Sequence, residues 1–204
     1  MCGRYNQRTP LTVLARQLQF ELDASQTWRP RYNIAPTQEI PVVRLVNGKR
    51  QLAMLRWGLV PSWSKDPKLA PINARADSVA TKPMFRSAYK SRRCLVLADG
   101  YYEWQRDGKV KLPWLYEVEG GPFAIAGLWE GETCTLLTTD ANDLAAQVHD
   151  RMPVILDPED YDAWLACEQI PLAPFPADRM SARPVSTFVN NVRNQGEECV
   201  APSE

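Results

Sequence analysis

Two apolar runs joined by Asn47-Gly48 constrain this chain most. Glu39 to Val46 and Gln51 to Val60 are β-like, and a two-residue connection needs positive φ at both central positions, which Asn-Gly supplies. The logic recurs: Cys94 to Gln105 is a long aromatic-rich run, Asp107-Gly108 turns it, and Val110 to Val118 returns. Phe123 to Trp129 and Cys134 to Thr139 form a third pair around Gly131, and Met152 to Leu156 reads as a buried strand. Helices are fewer. Thr9 is placed to cap and Pro10 to open a helix carrying Leu11, Leu14, Ala15, Leu18 and Leu22, ended by the break at Trp28–Pro30. Asp157-Pro158 opens another through about Leu165, and Asp143 to His149 is a short helix or a turn. No repeat or Gly/Ser linker divides the 204 residues. The expectation is one α+β domain, 1–204, of mainly antiparallel strands curled into a barrel-like sheet with a few flanking helices, and with about 195–204 as a loose tail.

No apolar run approaches the roughly 20 residues that cross a bilayer. The opening MCGRYNQR lacks the apolar stretch of a signal peptide, so the expected location is the cytoplasm. Five cysteines, an odd number without a C-x-x-C pair, argue against a disulfide framework, and a single histidine argues further against zinc. No metal and no cofactor is expected. Cys94, Cys134, Cys167 and Cys199 read as small core or surface residues.

Net charge is zero, yet it is segregated. Residues 44–93 hold 12 Lys and Arg against two Asp and Glu, whereas residues 94–204 hold seven against 19. Between Lys82 and Arg93 the cations interleave with Phe85 and Tyr89, a composition suited to a polyanion with stacking bases. A solvated basic face neutralised in space by the acidic half fits the same composition.

Cys2 follows Met1, and methionine before a small residue is commonly removed by the cell's aminopeptidase. That would leave an α-amine beside a thiol, with reference pKa values of about 7.7–8.0 and 8.5. Such a 1,2-aminothiol traps aldehydes: the amine condenses to an imine and the sulfur closes a five-membered thiazolidine. Taken alone, Cys2 reads equally as an ordinary small residue near a terminus.

Six ordered blocks give it context: Met1-Cys2-Gly3-Arg4-Tyr5, Tyr32-Asn33-Ile34-Ala35-Pro36, Arg56-Trp57-Gly58-Leu59-Val60-Pro61-Ser62-Trp63, Asn73-Ala74-Arg75, Ala98-Asp99-Gly100-Tyr101-Tyr102-Glu103-Trp104 and His149-Asp150-Arg151-Met152-Pro153. Through them the chain resembles the SOS-response-associated peptidase (SRAP) family, abasic-site processing proteins that cross-link themselves to DNA. The resemblance implies that Cys2, once Met1 is gone, attacks the open-chain aldehyde of an abasic sugar in single-stranded DNA. An abasic residue has no base to stack or pair, so its extrusion costs less than flipping an intact nucleotide.

It further implies that Glu103, half-buried between Tyr102 and Trp104, shuttles protons with a raised pKa, that His149 donates a proton or assists reversal, and that Asn73 orients the nucleophile. Arg4, Arg75 and Arg151 match phosphate contacts, while Trp57, Trp63 and Pro36 lie in blocks near the DNA groove. Read without the family, Glu103 is an outward residue of an alternating strand, His149 a capping or core histidine, Asn73 an Asx turn, and each tryptophan a core residue.

The implied partner is single-stranded DNA containing abasic sites, bound by a monomer that is nucleoid-associated when on DNA, with no membrane and no obligate protein partner. Nothing after Arg193 resembles the interaction-motif extensions of some relatives. Two other activities stay open: a Cys2-dependent peptidase, including self-removal of Met1, and a passive single-strand-binding module in which the basic segment acts alone.

Overall fold

The computed structural model describes residues 2–22, 28–66, 69–108 and 110–203. In chain order the strands are β1 (Tyr5–Gln7), β2 (Arg31–Ile34), β3 (Glu39–Val46), β4 (Lys49–Trp57), β5 (Asn73–Arg75), β6 (Arg93–Ala98), β7 (Gly100–Asp107), β8 (Val110–Val118), β9 (Phe123–Glu130), β10 (Thr133–Asp140), β11 (Arg151–Pro153), β12 (Ile155–Leu156) and β13 (Met180–Pro184). The α-helices are α1 (Leu11–Leu18), α2 (Arg86–Ser91) and α3 (Tyr161–Leu165). The α+β domain of mainly antiparallel, curled sheet is therefore the observed fold.

The curl closes. β4 pairs with β3, β3 with β6, β6 with β9 and β9 with β10, all antiparallel, and β10 returns to β4 through a short parallel ladder at Thr133–Arg56 and Cys134–Trp57. A second sheet, ordered β13-β8-β7-β1-β2, packs against this ring. Alternation along the strands divides the interior. Leu95, Leu97, Ala124 and Ala126 join a cluster with α1, α2 and α3, whereas Cys94, Val96, Ala98 and Ile125 face the second sheet with Cys2, Tyr5 and Tyr101.

The Asn47-Gly48 turn forms as expected, with φ of 51° and 76°. The run Cys94 to Gln105, expected as one strand, is broken at Asp99 and serves both sheets. Gly100 makes the transfer possible, because a Cβ there would lie 2.9 Å from both Leu115 Cδ1 and the Tyr116 carbonyl oxygen. Asp99 also corrects the expected start of α1. Its carboxylate accepts from the Thr9 amide (2.9 Å), the Thr9 hydroxyl and the Arg8 amide, so Thr9 is engaged by Asp99 and Pro10 occupies the cap position without a side-chain bond. The helix stops at Leu18, Gln19 is left-handed, and Leu22 packs on the core from beyond the helix.

Two further expectations are corrected. The strand Met152 to Leu156 divides at Val154, β11 pairing with β10 and β12 with β9. Residues 195–203 are packed down: Cys199 is fully buried, the Ser186 amide donates to the Ala201 carbonyl (2.9 Å), and Val185 bridges to Pro202. The basic stretch 82–93 likewise differs from a base-stacking surface. Phe85 is buried and Tyr89 packs beside it in the cluster with the helices, and the buried Arg93 guanidinium stacks on Tyr89 and Trp164. In the wider basic segment, Arg50 pairs with Asp162 and Arg75 with Asp77, and within 82–93 Arg92 pairs with Glu130. No helix among the described residues is long and apolar enough to cross a membrane.

Candidate active site

The site is built where β1 runs out beside β7. Tyr5 lies opposite Tyr101 and the Tyr102 amide donates to the Arg4 carbonyl (2.9 Å), so continuing this register sets Gly3 against Glu103. Past Gly3 the β7 edge is no longer covered by β1, and Cys2 turns into the cluster between the two sheets, with no exposed surface. A second element fixes its position: Asn73 Nδ2, on β5, donates to the Cys2 carbonyl at 2.8 Å. β5 is itself held in register by β10, with Asn73 opposite Leu136.

Glu103 is 6% exposed. The pleat places it on the face of β7 that carries Tyr101, which corrects the expected position between Tyr102 and Trp104; those two rings lie on the other face, against Val185 and Val189. Burial pushes the Glu103 carboxyl above its ordinary range, and the nearby His149 partly opposes that shift. The Cys2 thiol is pushed up by its own burial first and by the Glu103 charge second. Glu103 thus lies within electrostatic reach of both Cys2 and His149, and Asn73 is bonded to Cys2.

His149 enters from the segment before β11. Its Nδ1 accepts from the Arg151 amide at 3.0 Å and lies 2.9 Å from Asp150 Oδ1. Glu103 and His149 line a cavity of about 550 Å³ with Arg4, Trp104, Arg106, Lys111, Val148 and Asn190. Arg106, Lys111 and Asn190 were not singled out from the sequence. Their signal was available for Arg106 and Lys111, which are strand neighbours across the Asp107-Gly108 turn.

The remaining expected residues separate. Arg4 lines the cavity but is anchored: Nη1 donates to Asn33 Oδ1 (2.7 Å) and the Val189 carbonyl (2.9 Å), and the guanidinium sits 5.3 Å over Trp104. Arg75 is exposed and paired with Asp77 at 2.6 Å. Arg151, expected at a phosphate, is 7% exposed and turned into the β10–β11 ladder, where it donates to the Thr138 carbonyl (2.8 Å) and pairs with Asp140. Trp57, expected near the groove, is wholly buried; it donates to the Ile72 carbonyl (2.8 Å) and meets Tyr5 edge-on at 5.6 Å. Trp63 is 59% exposed and Pro36 is half-buried. The expected loss of Met1 concerns a residue outside the described ones. No group of three or more His, Cys, Asp or Glu suited to a metal occurs among the described residues.

A closed strand ring with a second sheet clasped to it, Cys2 buried between them within electrostatic reach of a carboxylate that lines a cationic cavity with an imidazole, defines the class of this domain. Residues 1–192 match the family described as SOS response associated peptidase (SRAP), and this chain belongs to that family. It is 37% identical to the abasic site processing protein YoqW of Bacillus subtilis (strain 168), the match covering 98% of this chain and 99% of that one. It is 31% identical to the abasic site processing protein YedK of Escherichia coli (strain K12), covering 99% and 100%. A crystal structure of a Bacteroides thetaiotaomicron protein shares the fold at a TM-score of 0.87, with 24% identity and full coverage of both chains.

Proposed function

We propose that this protein captures abasic sites in single-stranded DNA as a thiazolidine cross-link to Cys2, after removal of Met1. The supporting relatives carry the name abasic site processing protein. The observation that supports the mechanism is the bond from Asn73 to the Cys2 carbonyl, with Cys2 within electrostatic reach of Glu103.

With Met1 gone, the neutral Cys2 amine adds to C1′ of the ring-opened sugar, forming an N–C bond. Its two protons pass to the aldehyde oxygen, which departs as water as the imine forms; Glu103 gives one proton to that oxygen and is restored by one from the nitrogen. A buried carboxyl with a raised pKa retains a proton nearer neutrality, which suits Glu103 to this exchange. His149, which lines the same cavity, serves the sugar hydroxyl. The sulfur then adds to the imine carbon as the thiol proton passes to nitrogen, closing the ring with net loss of one water. Reversal runs the same steps backwards, and β-elimination from the imine would give a lyase side reaction.

An amine-first route suits a thiol held neutral by burial, whereas a cysteine peptidase needs a thiolate at neutral pH. The protein works as a monomer on DNA, in the cytoplasm and at the nucleoid when bound. The test is incubation of Met-cleaved protein with an oligonucleotide whose uracil has been converted to an abasic site, followed by denaturing electrophoresis. A heat-stable adduct should form with the parent and be absent with Cys2→Ala, which keeps salt-sensitive strand binding. Equal adduct from Cys2→Ala would sink the mechanism, and a parent that binds without any adduct would leave the passive module.

A further inference from the structure

Of the three cations expected at phosphates, only Arg4 lines the cavity. Arg151 is buried in a ladder, Arg75 is paired with Asp77, and the Arg4 Nη1 is engaged by Asn33 and Val189. Arg106 and Lys111 line the cavity as well, and both are exposed. They face each other directly across the β7–β8 ladder. Like charges at that separation, about 5 Å between Cβ atoms, destabilise a strand pair in the absence of an anion. Next to them the strand bonds are reinforced from outside: Asn190 donates to the Lys111 carbonyl (3.1 Å) and accepts from Trp104 Nε1 (2.6 Å), so the hairpin base is held in place despite the repulsion.

We infer that Arg106 and Lys111 form a backbone-phosphate subsite for the DNA strand at the cavity that contains Glu103 and His149. The arrangement suits one bridging phosphate, with a guanidinium fork on one side and an ammonium on the other. It rests on the reading that single-stranded DNA enters this cavity. It extends that reading by assigning a phosphate anchor to the β7–β8 hairpin, which carries the proton-handling residue Glu103. A captured sugar and its neighbouring phosphate would then be positioned by one rigid element.

The test is equilibrium binding of an unmodified single-stranded oligonucleotide as a function of salt, with R106Q, K111Q and the double variant. Losing the one bridged phosphate should lower the slope of log K against log salt by about 0.7 in the double variant, with each single variant falling between that and the parent. R16Q, on the exposed face of α1, should leave the slope at the parent value. Thermal midpoints at or above the parent's confirm that the variants are folded. An unchanged slope in the folded double variant overturns the inference. So does competition by inorganic phosphate at fixed ionic strength, which would mark a site for the free ion. Cross-linking is scored separately at saturating abasic oligonucleotide. A slope change without any adduct from the parent retains the subsite and removes the Cys2 chemistry, whereas a normal adduct with an unchanged slope does the reverse.

Discussion

The side-chain amide of Asn73 donates to the main-chain carbonyl of Cys2 across 71 residues of sequence, at 2.8 Å. That bond ties the start of the chain to β5, and β5 is fixed by its ladder with β10. Cys2, the proposed nucleophile, is therefore positioned by the barrel and Glu103, the proposed acid, by the second sheet, so the two meet only when both sheets are in place. Replacing Asn73 by Ala removes the donor and leaves a buried carbonyl short of a partner, at a cost of about 1–3 kcal/mol. Cross-linking by N73A should slow at least ten-fold, since part of that cost falls on the placement of Cys2. N73D, which keeps the shape but loses the donor, should be no better. Single-turnover adduct formation measures this, and a parent-like rate in both variants would remove Asn73 from the mechanism.

Glu103 carries a pH signature. Its carboxyl is raised by burial, so the folded protein holds the proton more tightly than the unfolded chain does. Such a group stabilises the fold fully below the unfolded carboxylate pKa of about 4.3, and the contribution is lost as pH rises through the folded value. Glu103→Gln should therefore raise the thermal midpoint at neutral pH, and its advantage should vanish near pH 4. The same variant should form adduct more slowly, because the amide cannot release a proton. Midpoints recorded from pH 4 to 8 check the first half; a midpoint gap independent of pH would contradict the raised carboxyl.

Much of the strand frame was legible because backbone chemistry is local. Asn47-Gly48 accepts positive φ at both turn positions, and alternating apolar residues on either side need a common core. Where neighbours decide, reading failed. Thr9 has the chemistry of a cap, but Asp99, 90 residues away, takes its hydroxyl and amide. Cys94 to Gln105 reads as one strand because nothing in its composition says that Gly100 must pass against Leu115. The residue types of the site were visible through the motif blocks, yet the faces on which they lie were not: Glu103 shares its face with Tyr101, and Arg151 points into a ladder.

The two tryptophans of the block Arg56 to Trp63 should separate by experiment. Trp57 is wholly buried and hydrogen-bonded, so Trp57→Ala should cost about 3–5 kcal/mol of stability through the cavity left behind. Trp63 is exposed, so Trp63→Ala should leave the midpoint within about 0.5 kcal/mol of the parent. If Trp63 stacks on a base, that variant should weaken single-strand binding by about 1–3 kcal/mol. Chemical denaturation and oligonucleotide titration of both variants provide the comparison, and a stability loss from Trp63→Ala would place that ring in the core.

Arg151 tests whether a motif cation belongs to the fold or to the ligand. Its guanidinium joins β10 to β11 through the Thr138 carbonyl and Asp140, and its backbone amide donates to His149 Nδ1. Removing the side chain breaks charge-assisted bonds at a buried position, worth about 1.5–3 kcal/mol each to the intact structure. Arg151→Gln should therefore lower the denaturation midpoint clearly. Lys cannot reproduce the fork, so R151K should recover only part of the loss. Because the side chain is buried, the salt slope for single-strand binding by the folded fraction should stay at the parent value, in contrast to the variants at Arg106 and Lys111. A slope reduced by about 0.7 with an unshifted midpoint would instead make Arg151 a phosphate contact.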